Sequence, residues 1–366
     1  MMDIKDIMEY FFQLVRINSP SGQERELAKK LVKDLHDMGF TVYEDDAGKM
    51  CGGSTGNIIA RLEGSREVAP VLFAAHMDTV AKTGDIEPVV DDGKIISRGD
   101  TILSADDKAG ICAIIQGIKE GIREGKRHGD IEIVFTICEE GGLKGSKSLD
   151  VSLLKAKEGF ALDSSGEVGK IVTRAPAQNK LDIEITGKAA HAGIEPEKGI
   201  SAIQLGAEAV YKMKLGRIDE ETTANIGVIR GGEATNIVTE KLEMQGEVRS
   251  LSMEKLKGST RLILQIIEKT AERHRGKAVC KVTPSYPAYS LDDSSGPVKR
   301  AEKAVKNIGL TPLKASSGGG SDANILNGKG IPTVNLGAGF YNAHSADEYI
   351  SVQDLVNLCR LVKALL

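Results

Sequence analysis

Short, uninterrupted apolar segments of strand length constrain the fold of this chain more than any other sequence feature. In the first half they cover residues 57–62, 71–75, 131–137 and 159–162. Segments with helical apolar spacing lie before and between them, at residues 6–17, 24–38 and 109–122. Strands that are apolar on both faces and alternate with helices are typical of a mainly parallel α/β sheet.

The pattern changes after Pro176 and returns after Pro287. In between, strand and helix signals follow the ferredoxin-like βαββαβ order, at residues 181–185, 200–215, 223–229, 242–248, 253–273 and 278–282. Helical and strand signals of the α/β type then resume at residues 298–308, 331–336 and 352–366. We therefore predict a discontinuous α/β domain, residues 1–176 and 288–366, with a small α+β domain, residues 177–287, inserted into it.

Composition argues against two classes of protein. Lys and Arg number 48 against 52 Asp and Glu, the net charge is −4, and aromatic residues make up only 4%. This balance lacks the basic, aromatic surface that binds nucleic acid. The apolar segments are far shorter than the roughly 20 residues of a membrane-spanning helix. We expect neither a nucleic-acid nor a membrane partner.

The termini and cysteines bear on the compartment. The first nine residues mix acidic and apolar side chains and do not resemble a signal peptide. The five cysteines are odd in number and contain no CxxC pair, which is typical of reduced thiols. We therefore expect a cytoplasmic protein.

Histidine is scarce, so its placement is informative. Three of the six lie in helical or charged segments, where we expect exposure to solvent: His36, His128 and His274. The others, His76, His191 and His344, adjoin apolar strand segments and small residues, where a polar side chain needs a specific partner.

The apolar segment 71–75 ends in His76 and, two residues on, Asp78. In an extended chain these side chains share a face. The Asp78 carboxylate can then accept one ring N–H of His76 and leave the other nitrogen for a metal. A buried histidine paired with a neighbouring acid remains an alternative, because a single His-x-Asp has many structural uses.

Polar side chains recur at comparable positions, after other predicted strands or before the helix at 109–122: Asp106, Asp107, Glu139, Glu140, Asp163 and His344. Ligands of open parallel sheets bind beyond the carboxyl ends of the strands, so we expect these side chains to converge. An N-cap role stays open for Asp107, and an exposed loop position stays open for each acid taken singly.

Carboxylates and imidazoles without thiolates suit zinc, manganese or cobalt. Two four-coordinate metals have about eight ligand positions; five side chains supply six of them if one carboxylate bridges, and a bridging water supplies two. Metals about 3.5 to 4 Å apart would share a hydroxide and bind a carbonyl oxygen. The extra glutamate of the Glu139–Glu140 pair fits a general base.

This ordered set resembles a family of dizinc metallopeptidases that includes glutamate carboxypeptidase, aminoacylase, succinyl-diaminopimelate desuccinylase and peptidase T. The resemblance rests on His76-Met-Asp78, Asp106-Asp107, Glu139-Glu140, Asp163 and His344 in this order, and it extends over essentially the whole chain. Residues 187–202 and 232–238 are most similar to the peptidase T branch.

The resemblance implies two Zn²⁺ ions per chain, with Co²⁺ or Mn²⁺ as substitutes. His76 and Asp163 would hold one metal, Glu140 and His344 the other, and Asp106 would bridge them. Glu139 would be the general base, and Asp78 would orient His76.

The resemblance also implies that the inserted domain is a lid and dimerisation domain. From it, His191 would polarise the substrate carbonyl of the partner subunit in a homodimer. Asn236 and Arg249 would hold the substrate carboxylate, and Gly319 or Gly320 would offer backbone N–H groups. Simpler roles stay open: a surface histidine, an exposed strand cation for Arg249, and a flexible linker for the glycines.

The expected function is a dizinc exopeptidase that releases the N-terminal residue of short peptides, with tripeptides favoured. An N-acyl amino acid hydrolase or a carboxypeptidase would use the same site. A third hypothesis is a metal-free binding or scaffold protein with the same fold. This hypothesis is disfavoured because such a protein has no need of a buried acid cluster.

Overall fold

The computed structural model describes residues 2–64, 68–80 and 84–366. These residues form two compact units. The first unit runs to Arg174 and also includes Ser290–Ser317 and Ser321–Leu366. The second, inserted unit comprises Ala175–Tyr289 together with Gly318–Gly320.

The described residues form ten α-helices: α1 (Ile4–Val15), α2 (Arg25–Asp37), α3 (Ala47–Cys51), α4 (Ala105–Arg123), α5 (Lys144–Ser148), α6 (Ala202–Lys212), α7 (Met253–Arg273), α8 (Gly296–Asn307), α9 (Asp322–Gly328) and α10 (Val352–Leu365). They also form eighteen strands: β1 (Thr41–Glu44), β2 (Ile58–Leu62), β3 (Val71–His76), β4 (Pro88–Asp91), β5 (Lys94–Ser97), β6 (Ile131–Thr136), β7 (Gly159–Ser164), β8 (Lys170–Ala175), β9 (Ala177–Thr186), β10 (Gly216–Arg217), β11 (Thr222–Gly231), β12 (Lys241–Ser250), β13 (Lys277–Tyr286), β14 (Tyr289–Ser290), β15 (Leu313–Ser316), β16 (Thr333–Gly337), β17 (Phe340–Tyr341) and β18 (Tyr349–Ser351).

The first unit is built on a nine-stranded sheet. Its strand order is β1-β2-β6-β3-β7-β16-β8-β14, and β15 pairs with β8. The central strands β6, β3, β7 and β16 are parallel, whereas β1 and β2 join at the edge in antiparallel pairs. Every residue of β3 and β6 is buried, as strands covered on both faces require. The predicted mainly parallel α/β sheet is confirmed.

Helix α4 packs on β3 and β7 and also contacts α1 and α10. Its apolar side chains Ile111, Ile114 and Ile118 are fully buried. Beneath it, Phe73 of β3 and Phe160 of β7 lie with ring centroids 6.0 Å apart. This packing fixes the first residues of α4 relative to the carboxyl ends of both strands.

A second, antiparallel sheet of the first unit has the order β17-β18-β5-β4. Phe340 and Ile350 are buried, and the rings of Tyr341 and Tyr349 stack with centroids 5.1 Å apart. Strands β17 and β18 flank the loop that carries His344. The sequence did not predict this sheet, because strands of two to four residues are too short for a hydrophobic period to register.

The inserted unit has an antiparallel sheet in the order β10-β11-β12-β9-β13, packed against α6 and α7. Leu181, Ile183 and Ile185 alternate along β9 and are buried, as predicted. A serine precedes each helix, Ser201 before α6 and Ser252 before α7, and its side chain accepts a backbone N–H of the first turn. The βαββαβ order is confirmed; the short extra strand β10 has no apolar pattern.

The expected exposure of His128 is wrong. This residue is 8% exposed, and its Nδ1 lies 2.7 Å from the carbonyl oxygen of Gly129. The backbone of Gly64 packs so closely on this segment that an added Cβ would lie 2.3 Å from the carbonyl carbon of Gly129. The charged flanking residues had suggested a solvent-exposed loop.

The remaining expectations concern the pairing of cysteines and the presence of membrane-spanning helices. All five cysteines are free thiols. Within the three described ranges, no helix has both the length and the apolar character needed to cross a membrane.

Candidate metal centre

The predicted ligands lie in the first unit, where strands end or where α4 begins. His76 is the last residue of β3, Glu140 follows β6, and Asp163 lies near the end of β7. Asp106 belongs to the first turn of α4, and His344 lies between β17 and β18. The parallel strands bring their polar ends to one edge of the sheet because their apolar stretches are buried side by side.

Asp106 lies between the two histidines. Its Oδ1 is 3.1 Å from Nε2 of His76, and its Oδ2 is 3.2 Å from Nε2 of His344. A second carboxylate accompanies each ring. Oδ1 of Asp163 lies 3.6 Å from Nε2 of His76, and Oε1 of Glu140 lies 2.6 Å from Nε2 of His344. The five predicted ligands thus form two groups that share Asp106.

The charges in this cluster perturb one another strongly. Burial acts to raise the pKa of Asp106, but hydrogen bonds from His344 and His76 lower it to about 2. Burial opposes protonation of His76, yet its hydrogen bonds to neighbouring aspartates hold its pKa well above the usual value. Hydrogen bonds to Asp106 and Glu140 raise the pKa of His344 to about 10. Each histidine and the carboxylates beside it thus stabilise one another's charged forms.

Two acids carry the opposite shift. Burial raises the pKa of Asp163 to about 7 against the opposing effect of His76. Burial, followed by the charge of Asp163, raises the pKa of Glu139 well above its usual value. Several carboxylates thus share a region of low solvent access, where ionised acids need compensating cations.

This donor set fits a divalent metal. Among the described residues, donor atoms lie within 4.8 Å of one another in two groups, His76 with Asp106 and Glu140, and His76 with Asp107 and Asp163. Carboxylate oxygens and imidazole nitrogens are ligands of zinc, cobalt and manganese. A bound cation also supplies the positive charge that the clustered acids require.

Asp107 is fully buried and holds the end of β3. Its Oδ2 accepts the backbone N–H of His76 at 3.2 Å, whereas Oδ1 has no hydrogen-bond partner among the described residues. The side chain therefore contacts the strand and does not cap α4, which was the simpler alternative. The peptide bond between Asp106 and Asp107 is cis.

Asp78 contacts the glutamate pair more extensively than it contacts His76. Its Oδ1 accepts the backbone N–H of Glu139 at 2.8 Å, and its Oδ2 accepts that of Glu140 at 3.1 Å. The hydroxyl of Ser21 donates to Oδ2 at 2.5 Å. Nδ1 of His76 lies 2.8 Å from the backbone oxygen of Asp78 and 3.6 Å from its Oδ1. The Asp78 carbonyl is thus the closer partner of the ring, and the carboxylate positions residues 139 and 140.

The inserted unit brings the predicted catalytic residue His191 and the predicted substrate-binding residue Asn236 together. The N–H of Ala192 donates to the backbone oxygen of Asn236 at 2.9 Å, which places Asn236 beside His191. His191 is exposed, and its Nδ1 accepts the N–H groups of Gly193 and Ile194, each at 3.2 Å. Because Nδ1 accepts hydrogen bonds, the ring nitrogen that carries a proton and can donate is Nε2.

Arg249 and the predicted glycine segment also meet in the inserted unit. Glu247 accepts from Nε and Nη2 of Arg249 at 2.8 and 3.1 Å, and this two-pronged contact fixes the guanidinium plane. Nη1 of Arg249 donates to the carbonyl oxygen of Gly318 at 3.4 Å. Gly320 donates its N–H to the hydroxyl of Tyr286 at 3.1 Å, and an added Cβ at Gly320 would lie 2.3 Å from that ring. The guanidinium and the glycine segment therefore have defined partners.

Sequence reasoning missed two buried glutamates beside the centre. Glu24 accepts the N–H of Cys138, directly before the glutamate pair, at 3.0 Å. Glu348 accepts the N–H groups of Ser104 and Asp106 at 2.8 and 2.9 Å. Both side chains are essentially excluded from solvent. The available signal for Glu348 was its place between a predicted ligand and an apolar strand, where a charged side chain needs a partner.

The sequence of this chain is similar to those of known proteins. Residues 72–366 match the peptidase family M20/M25/M40. The chain is 43% identical to the uncharacterized protein YqjE of Bacillus subtilis, over 100% of this chain and 99% of that protein.

Two crystal structures are closely similar. An aminopeptidase PepT from Bacillus cereus is 43% identical with a TM-score of 0.94, and the match covers 100% of this chain and 98% of that chain. A tripeptidase from Staphylococcus aureus is 38% identical with a TM-score of 0.97 and the same coverage.

The contacts of Asp78 generate a prediction for metal affinity. In Asp78→Asn the single amide oxygen can accept only one of the two N–H groups, so the glutamate pair loosens. We expect zinc affinity to fall roughly 10- to 100-fold, as for other groups that orient metal ligands. Ser21→Ala leaves both backbone bonds in place and should weaken binding less. Chelator competition measures both; an equal or larger effect of Ser21→Ala would contradict the assignment.

Proposed function

The chain belongs to the peptidase family M20/M25/M40, and from this premise we propose that it is a metal-dependent exopeptidase that releases the N-terminal residue of short peptides, tripeptides above all. The observation that carries the metal-dependent part is the position of Asp106, whose two carboxylate oxygens contact His76 and His344. The proposed substrate class is supported by the similarity of this chain to an aminopeptidase and to a tripeptidase of known structure.

In this proposal two Zn²⁺ ions, replaceable by Co²⁺ or Mn²⁺, bind at the centre. His76 and Asp163 would hold one ion, Glu140 and His344 would hold the other, and Asp106 would contribute to both. Bound there, the metals supply Lewis-acid activation of water and of the scissile carbonyl.

Glu139 acts as the general base that takes a proton from the attacking water. Asp78 accepts the backbone N–H of Glu139, and the next residue is a proposed ligand. The main chain therefore places Glu139 next to the metal centre. In the part of the chain that the structure describes, no imidazole contacts the half-buried side chain of Glu139 as His344 contacts Glu140.

Residues of the inserted unit bind the substrate, and this unit acts as the lid and dimerisation domain. Nε2–H of His191 donates to the carbonyl of a substrate that is bound at the partner subunit of a homodimer. Asn236 and Arg249 bind the substrate carboxylate, with Gly319 and Gly320 as backbone donors. The two-pronged contact with Glu247 holds the guanidinium of Arg249 in a fixed plane, which suits a carboxylate ligand.

A hydrolase of N-acyl amino acids or a carboxypeptidase remains the second candidate, because it would use the same metals and base. A free substrate amino group separates the candidates, since only the aminopeptidase requires it. We also propose a cytoplasmic location, which the five free thiols support.

Substitution of the two glutamates separates base from ligand. Glu139→Gln should retain both metals while turnover falls roughly a hundred- to ten-thousandfold, because the proton acceptor is lost. Glu140→Gln is the matched variant and should lose metal instead. Elemental analysis and peptide hydrolysis measure the two effects; metal loss in Glu139→Gln with retention in Glu140→Gln would reverse the roles.

Substrate length and blocking test the substrate class. A tripeptide with a free N-terminus should be cut after its first residue, and acetylation of that N-terminus should abolish cleavage. Chromatography of the products from matched free and acetylated di-, tri- and tetrapeptides measures this. Faster hydrolysis of acetylated substrates would favour the acylase candidate.

Complementation tests the action of His191 across a dimer. Inactive His191→Ala and inactive Glu139→Gln are unfolded and refolded together. If His191 acts on the partner's site, each mixed dimer has one site with both defects and one intact site, so activity returns. Each variant refolded alone is the control. A mixture as inactive as the controls would show that His191 acts within its own chain or has no catalytic role.

A further inference from the structure

Glu348 connects two segments that carry proposed metal ligands. Its carboxylate is 1% exposed and accepts the N–H of Ser104 at Oε2, 2.8 Å away, and the N–H of Asp106 at Oε1, 2.9 Å away. Glu348 itself lies four residues after His344. One side chain therefore joins the segment of the shared ligand to the segment of a second ligand.

The segment before α4 depends on this contact for its shape. Ser104 has a φ of 65°, in the left-handed region that non-glycine residues rarely adopt. Its hydroxyl has no hydrogen-bond partner among the described residues. The Glu348 carboxylate thus supplies a contact that holds Ser104 and Asp106 in this strained arrangement.

The His344 segment also has contacts of its own. The N–H of Glu348 donates to the carbonyl oxygen of Ser345 at 3.2 Å. The flanking Tyr341 and Tyr349 rings stack across β17 and β18. From this segment the Glu348 carboxylate reaches the backbone N–H of Asp106, so the two segments are joined directly.

We infer that Glu348 is a positioning residue that sets the separation between Asp106 and His344 and thereby determines affinity at the metal position shared by Asp106, Glu140 and His344. The inference rests on the proposed metal centre. Glu348 acts through backbone N–H groups and is not one of the proposed metal ligands.

The alternative is that Glu348 has a purely structural role. The chain contains a second buried glutamate, Glu132, with similar hydrogen bonds, which serves as a control. Glu132 is also 1% exposed, and its carboxylate accepts the N–H groups of Lys155 and Ala156 at 2.8 to 2.9 Å. It lies near the start of β6, whereas the glutamate pair follows the end of that strand. Glu132 therefore provides the same hydrogen-bond chemistry away from the metal centre.

The experiment compares zinc affinity of the wild type, Glu348→Gln and Glu132→Gln by chelator competition, with thermal unfolding of the metal-free proteins as a second readout. In Glu348→Gln the amide NH₂ faces a backbone N–H, so one of the two bonds is lost. We expect one of two zinc sites to weaken roughly 10- to 100-fold. Glu132→Gln should lower the unfolding temperature but leave both zinc affinities within about twofold of wild type.

Unchanged zinc affinity in Glu348→Gln, or an equal loss in Glu132→Gln, would overturn the inference. If Glu348→Gln does not fold, it is combined with Ser104→Gly, because glycine adopts a φ of 65° without strain and the lost hydroxyl had no partner. A folded double variant with weakened zinc binding supports the inference, and one that also fails to fold indicates a structural role only. A wild type that binds no zinc would instead contradict the proposed function.

Discussion

The sharing of one carboxylate between two imidazoles is the interaction on which the rest of the centre depends. Asp106 contacts His76 through one oxygen and His344 through the other, and each ring has a further acid beside it. Acids packed this closely, with little solvent, repel one another unless cations compensate them. The proposed divalent metals would supply that charge, and the two histidines would bind them as neutral imidazoles.

The proposed ligands lie on segments whose backbone N–H groups are bound by carboxylates. Asp78 holds the Glu139–Glu140 pair, Asp107 holds the last residue of β3, and Glu348 holds the segment that begins α4. Such bonds fix the main chain and leave the ligand side chains free for other partners. Stability of the centre and readiness to bind metal therefore come from the same network.

The sequence predicts the sheet and the inserted unit because these follow from local patterns, whereas the assignment of the ligand set rests on the resemblance to a known family. An apolar segment such as 71–75 indicates a buried strand, and the polar residue that ends it indicates the position of a site. Glu348, the burial of His128 and the short strands β17 and β18 could not be predicted. Their environments are created by segments distant in sequence, and no local period records those approaches.

A crystal structure of the zinc-loaded protein, with anomalous diffraction to locate the metal, tests the central claim most directly. We expect two zinc ions per chain, about 3.5 to 4 Å apart, with one oxygen of Asp106 on each. His76 and Asp163 should complete the contacts of one ion, and Glu140 and His344 those of the other. A single ion, or two ions with Asp106 on only one of them, would contradict the account.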